Sequence, residues 1–238
     1  MKIKEFSLMW EQFTLSTYPE LFYSTYACMV GPMVLTSKQR EIMIGVILGD
    51  AHVIRRVKPT HNTRIRFDQA YPAHEEYLRH LYSIFSNLTK SEPKIITRKP
   101  DKRTGKIYES IRFTTRNLPC LNEFQDLFYP EGIKKIPGNI SELLTEKGLA
   151  YWIMDDGHKT FYNQTVLNTN SYTIEEVQLL QAALLKNFQL RTRLIEKMPG
   201  VYLIVIPVRQ IRPLNQLVGT HIIESMQYKI KSKLDIKM

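Results

Sequence analysis

Two stretches of this chain are apolar on every helical face and then stop on a carboxylate. The first runs Ile42-Met43-Ile44-Gly45-Val46-Ile47-Leu48-Gly49 and ends on Asp50; the second runs Leu149-Ala150-Tyr151-Trp152-Ile153-Met154 and ends on Asp155-Asp156. A helix with no polar stripe belongs inside a protein, packed against something on all sides. The first is predicted to open at a Thr36-x-x-Gln39 capping box, and the second to run from about Ser141 to Asp156.

Beyond each of these helices the elements come in the same order. Strand-like runs at 52–57 and 63–69 precede an amphipathic helix from about Pro72 to Leu88, then strands at 93–99 and 106–115, a polar turn at Asp101–Gly105, and a closing helix. In the second half the strands are 158–162 and 164–169. A helix opened by the Thr173/Glu176 capping box runs to Phe188; strands 191–197 and 201–206 come next, joined by Pro199-Gly200, and a last helix closes the half. The pattern αββαββα thus occurs twice, with Asp50 and Asp156 at matching places. The implied fold is α+β: two pseudo-symmetric modules, each with a four-stranded antiparallel sheet covered by helices on one face. The divisions are an N-terminal extension at 1–34, a first half-domain at 35–138 and a second at 139–238. Trp10, Phe13, Phe22 and Tyr23 of the extension are expected to pack rather than to react.

The uncovered sheet faces read as basic. Period-2 alternation puts Ile65 and Phe67 on one side of a strand and Arg64, Arg66 and Asp68 on the other. It likewise sets Ile107, Ile111 and Phe113 opposite Lys106, Ser110 and Arg112, and places Arg191 and Arg193 together, with Lys159 on the second module's first hairpin. With 33 Lys and Arg against 23 Asp and Glu, the net charge is +10. A two-stranded ribbon carrying Arg and Lys fits the DNA major groove, so Arg64, Arg66, Lys106, Arg112, Lys159, Arg191 and Arg193 are candidate DNA contacts. Asp68 is expected to pair with an arginine. No apolar run approaches the roughly 18 residues that cross a bilayer. Cys28 and Cys120 are too few for a disulfide framework, which suits a reducing compartment, and residues 1–34 resemble neither a secretory signal nor an arginine-rich transit peptide.

An aspartate at a helix C-terminus is disfavoured by the helix dipole, and two such aspartates side by side repel unless a cation lies between them. Gly45 and Gly49, four residues apart, would let the helices approach closely enough to bring Asp50 and Asp156 together. Hard oxygen donors of this kind favour Mg²⁺ completed by water and phosphate, an arrangement suited to phosphodiester hydrolysis.

The segments Met43–Ala51 and Leu149–Gly157 resemble the paired motifs of the LAGLIDADG homing endonucleases, in particular the single-chain, double-motif kind encoded in organellar group I introns. The similarity extends from Thr36 to Lys233. It implies saddle-shaped sheets packed through the two motif helices, metal bound by Asp50 and Asp156, and water activation or charge stabilisation by Lys134 and Lys229, with Lys135 the rival for the role of Lys134. Gly49, through its carbonyl, and Asp155 are secondary candidates for the metal. The resemblance also implies a monomer that binds a long asymmetric duplex site and hydrolyses both strands with Mg²⁺, leaving short 3′ overhangs. Mn²⁺ is expected to substitute, and Ca²⁺ to support binding without efficient cleavage. An alternative within the family is a maturase acting on group I intron RNA; a DNA-binding regulator on the same scaffold would not need the two aspartates. The motifs depart from the family pattern at Ala51, and at Tyr151 and Asp155, where the first helix has Gly45 and Gly49.

Overall fold

The structure is a computed structural model that describes residues 33–54, 58 and 61–231. The expected extension up to residue 32, with its aromatic residues, the strand positions 55–57, and Cys28 lie outside the described residues. The described body is the compact unit that begins at Leu35.

Helix α1 spans Ser37–Leu48, and its Thr36/Gln39 capping box forms as the sequence predicts. Every residue from Ile42 to Leu48 is buried. Strands β1 (His52–Ile54) and β2 (Arg64–Ala70) come next, then α2 (Glu75–Phe85), β3 (Lys94–Thr97), β4 (Glu109–Thr114) and α3 (Asn122–Phe128). The second module has a short helical turn, α4 (Ile140–Leu143), then α5 (Glu146–Asp156), β5 (Gly157–Lys159), β6 (Thr165–Asn168), α6 (Ile174–Phe188), β7 (Arg193–Met198), β8 (Val201–Ile206) and α7 (Ile211–Val218). The sheets share one topology, β1-β2-β4-β3 and β5-β6-β8-β7, with every pairing antiparallel. Each is two hairpins joined through their inner strands, as the repeated order implies.

Three expectations need correction. The second motif helix does not begin near Ser141: Leu144 is extended, and Thr145 starts a new helix by accepting from the Gly148 N–H. The Thr145 hydroxyl is a better cap than a continuous helix through that position, because it satisfies a donor the helix start leaves free. The helix after β2 begins at Glu75 rather than near Pro72. Lys106 and Ile107 lie outside β4, and Ile107 is 60% exposed instead of facing the core. Residues 99–109 are mostly exposed, so alternation there has no apolar layer to fit against. Asp101 instead organises that end as a turn, accepting from the N–H groups of Arg103 and Thr104.

The core of each module lies between sheet and helices. Phe67 of β2 stacks on Phe113 of β4 and Phe85 of α2, with centroids 4.5 and 5.3 Å away. Strand β2 buries alternate residues against this layer, and β4 adds Ile111 and Phe113. Between the modules, α1 packs along α5. A Cβ on Gly45 would lie 2.1 Å from the Gly148 carbonyl oxygen, so the backbones cross there and only glycine fits. The small residue of the second helix is therefore Gly148, one turn before the position matching Gly45. Tyr151 at that matching position turns outward from the crossing, and its hydroxyl meets His80 Nε2 at 2.7 Å.

Candidate active site

The helix crossing carries both motif C-termini to one place. At the end of α1, a Cβ on Gly49 would sit 2.4 Å from the Asp155 Cβ, so the missing side chain makes room for Asp155. The Asp155 carboxylate accepts from the Asp50 backbone N–H at 3.3 Å. Gln69 Nε2 donates to Asp50 Oδ2 and to Asp155 Oδ1, each at 3.1 Å. Asp50, Asp155 and Asp156 thus form one carboxylate cluster, and the negative charge of Asp50 acts on both of the others. Burial, then the negative charge of Asp50, pushes the Asp156 carboxyl up to about 7, with Lys134 and Lys229 opposing. Burial and the charges of Asp50 and Asp156 raise Asp155 well above the carboxylate range. Asp50 itself is exposed.

Two lysines close the helix ends in parallel fashion. Lys134 Nζ donates to the carbonyls of Gly49 at 3.1 Å and Leu48 at 3.4 Å, and lies 5.3 Å over the Tyr172 ring. Lys229 Nζ donates to the carbonyls of Met154 and Asp155, the latter at 3.0 Å. Each ammonium satisfies carbonyls that a helix C-terminus leaves unpaired and places positive charge at the negative end of the dipole. Burial lowers both lysine pKa values while the three aspartates hold them up. Lys135, the rival, is exposed and paired with Glu131.

The secondary candidates are already engaged by protein donors: the Gly49 carbonyl by Lys134, and the Asp155 carboxylate by Gln69 and the Asp50 N–H. Among the described residues, no three His, Cys, Asp or Glu side chains form a cage for a metal. Mg²⁺ needs no such cage, since it commonly takes one or two carboxylates and keeps water or phosphate in its other positions. An exposed Asp50 beside a carboxyl with raised proton affinity suits that mode of binding.

Asp50 also lines a cleft with Asp68, Gln69, Ala70, His74, Arg98, Tyr108, Glu109 and Ser110, so the carboxylate opens onto the first sheet. Of the basic candidates, Arg64 and Arg66 project from the outer side of β2, as the alternation predicts. Arg112 is paired with Asp68, the partnership expected of that aspartate, and Lys94, Arg112 and Asp68 lie side by side across three strands. Lys159 Nζ donates to the Ile230 carbonyl at 2.6 Å and so ties β5 to the C-terminal segment. Arg193 is exposed on β7, while Arg191 is exposed just before it and Lys106 stands on the turn end of the first module.

Sequence reasoning missed Gln69, His74, Tyr172 and Asn168. Tyr172 donates its hydroxyl to the Leu48 carbonyl at 2.9 Å, and Asn168 Nδ2 donates to the Asp156 carbonyl at 2.8 Å. One signal was available: Gln69 falls on the inward register of β2, after Ile65 and Phe67, where an apolar residue belongs.

Comparison with known proteins agrees with this fold. The model of the LAGLIDADG DNA endonuclease family matches residues 40–214. The chain is 33% identical to the cytochrome b mRNA maturase bI2 of Debaryomyces hansenii, over 82% of this chain and 74% of that one. It is 30% identical to the probable intron-encoded endonuclease 1 of Wickerhamomyces canadensis, over 82% of this chain and 85% of that one. Among solved structures it resembles the homing endonuclease I-WcaI bound to its DNA recognition sequence, with a TM-score of 0.77 and 27% identity, covering 84% of this chain and 88% of that one.

Proposed function

The chain belongs to the LAGLIDADG DNA endonuclease family, and on that premise we propose that it is a site-specific nuclease acting on both strands of a long asymmetric DNA duplex. The observation that carries this reading is the convergence of Asp50 and Asp156 at two lysine-capped helix ends, beside a cleft that opens onto an arginine-bearing sheet. Asp50 and Asp156 would hold a divalent cation, Mg²⁺ in the first instance with Mn²⁺ able to replace it. When bound, the cation supplies an activated water and neutralises charge on the leaving oxygen. Lys134 and Lys229 offset the negative charge that two helix ends and three carboxylates bring to one place. Arg64, Arg66 and Arg193 provide positive charge for the DNA backbone and donors for base edges.

A single chain with two unlike sheets reads unlike half-sites as a monomer, where a symmetric dimer would impose a palindrome. An organellar, reducing compartment fits the intron-encoded relative and the low cysteine content. A second reading, a maturase acting on its intron RNA, is favoured by the maturase relative and is compatible with an intact acidic cluster.

The test is digestion of a randomised duplex library by the purified protein in Mg²⁺, with sequencing of the cut ends. One family of sites with short 3′ overhangs is expected, and Ca²⁺ should support binding with little cleavage. Undiminished cutting in EDTA, or no cutting in either Mg²⁺ or Mn²⁺, would overturn the reading.

A further inference from the structure

Asp50 and Asp156, at the ends of the two motif helices, are not held alike. Asp50 is gripped by Gln69, whose amide nitrogen has two hydrogens and directs one to Asp50 and one to Asp155. The amide cannot turn over. Its oxygen would then face the exposed Asp50 carboxylate, and it is already engaged by His74 Nδ1 at 3.1 Å. Since an amide oxygen only accepts, His74 carries its proton on Nδ1, leaving Nε2 to face the Tyr228 hydroxyl at 3.5 Å. Gln69 is 7% exposed, so its side chain is held among these partners rather than free in solvent.

Among the described residues the second module has no counterpart. His52 pairs with Arg66 in the first sheet and His158 with Val166 in the second, so the position matching Gln69 is Thr169. Thr169 is fully buried, and its hydroxyl donates to the Tyr202 carbonyl at 2.7 Å, away from the carboxylates. Asp156 is approached instead through its backbone, where Asn168 holds the carbonyl.

We propose that Gln69, locked by His74, is a positioning residue for the Asp50 carboxylate and not for that of Asp156, so that the two DNA strands are cut in unequal environments and in a preferred order. The inference rests on the nuclease reading above. It needs no new ligand, only that a carboxylate with a fixed orientation binds and aligns its cation better than one free to rotate.

The experiment uses the full chain and a duplex carrying the site recovered from the library, with each strand labelled separately. Cleavage of the two strands is timed for the wild type, Gln69→Leu, Gln69→Glu and Thr169→Val. Gln69→Leu should slow one strand about 10- to 100-fold more than the other and accumulate a nicked duplex, the range typical of losing an outer-shell partner. Gln69→Glu keeps the shape but replaces the donor to Asp50 with another carboxylate, so it should be at least as impaired on the same strand. Thr169→Val should leave the ratio of the two strand rates unchanged. DNA affinity and melting temperature are measured alongside to identify a misfolded variant. Equal slowing of both strands by Gln69→Leu, or near-normal cleavage by Gln69→Glu, would overturn the positioning role. A wild type that cuts neither strand would instead sink the nuclease reading.

Discussion

The ends of the two motif helices occupy equivalent places on one pseudo-symmetric frame and are built from different side chains. The first ends Gly49-Asp50-Ala51, with a gap over Gly49 and a glutamine reaching in from the sheet. The second ends Asp155-Asp156-Gly157, and its extra carboxylate fills that gap. Lys134 and Lys229 cap the two ends through matching carbonyls, so the backbone electrostatics are shared while the side-chain environments are not. The sheets diverge in the same way. One row of the first pairs His52, Arg66 and Thr114; the corresponding row of the second runs His158, Val166, Val205 and Arg193 and buries the two valines at its centre. Duplication preserves what the backbone needs, and each copy is then free to specialise.

The comparison breaks most sharply if either aspartate is dispensable. Asp50→Asn or Asp156→Asn should lower the cleavage rate by about 4 kcal/mol, roughly a thousand-fold, with site binding retained. Timed digestion beside a binding assay checks this, and full activity in either variant would remove that residue from the site.

Next in size is the glycine crossing. Gly45→Ala drives a methyl group into the Gly148 carbonyl and should cost about 3 kcal/mol in denaturant unfolding. Gly148→Ala meets its nearest neighbour, the Glu41 carbonyl oxygen, at 3.1 Å and gains helix propensity, so it should stay within about 1 kcal/mol of the wild type. Similar costs for the two would mean that the crossing is not centred on Gly45.

The pH dependence of stability sharpens the contrast between the two carboxylates. Asp156 has a folded pKa of about 7, above its unfolded value near 4, so its contribution is fully present below about 4 and is lost as pH rises through 7. Without divalent cation, stability should therefore fall between pH 4 and 7, by at most about 1.4 kcal/mol per pH unit for one group. Asp156→Asn should flatten that slope in a series of melting curves, with Asp155 supplying what remains because its shift has the same sign.

The smallest effect separates strand from turn. Arg66→Ala should weaken DNA binding by about 1 kcal/mol and reduce its dependence on salt, whereas Lys106→Ala, on the exposed turn, should change affinity by less. A larger loss at Lys106 would shift the interface toward the hairpin tip.

Much of this was legible from local pattern. Apolar helices bounded by capping boxes, and strands with period-2 alternation, are decided by residues a few positions apart. The repeated order of elements, the α+β class and the matched aspartates could therefore be read along the chain. Even the choice of Lys134 over Lys135 turned on one position, though only the fold showed which ammonium reaches the helix end.

Other features were settled by contacts between distant segments. The Gly45–Gly148 crossing, Asp155 in the space over Gly49, and Gln69 bridging two carboxylates all join residues whose spacing along the chain carries no periodic signal. The sequence by itself determined which segments form helices and strands and which residues bring charge, because those depend on neighbours. Only the tertiary structure decided which charges meet and which amide holds them, because hydrogen bonds and close backbone contacts require positions fixed to within a few tenths of an ångström.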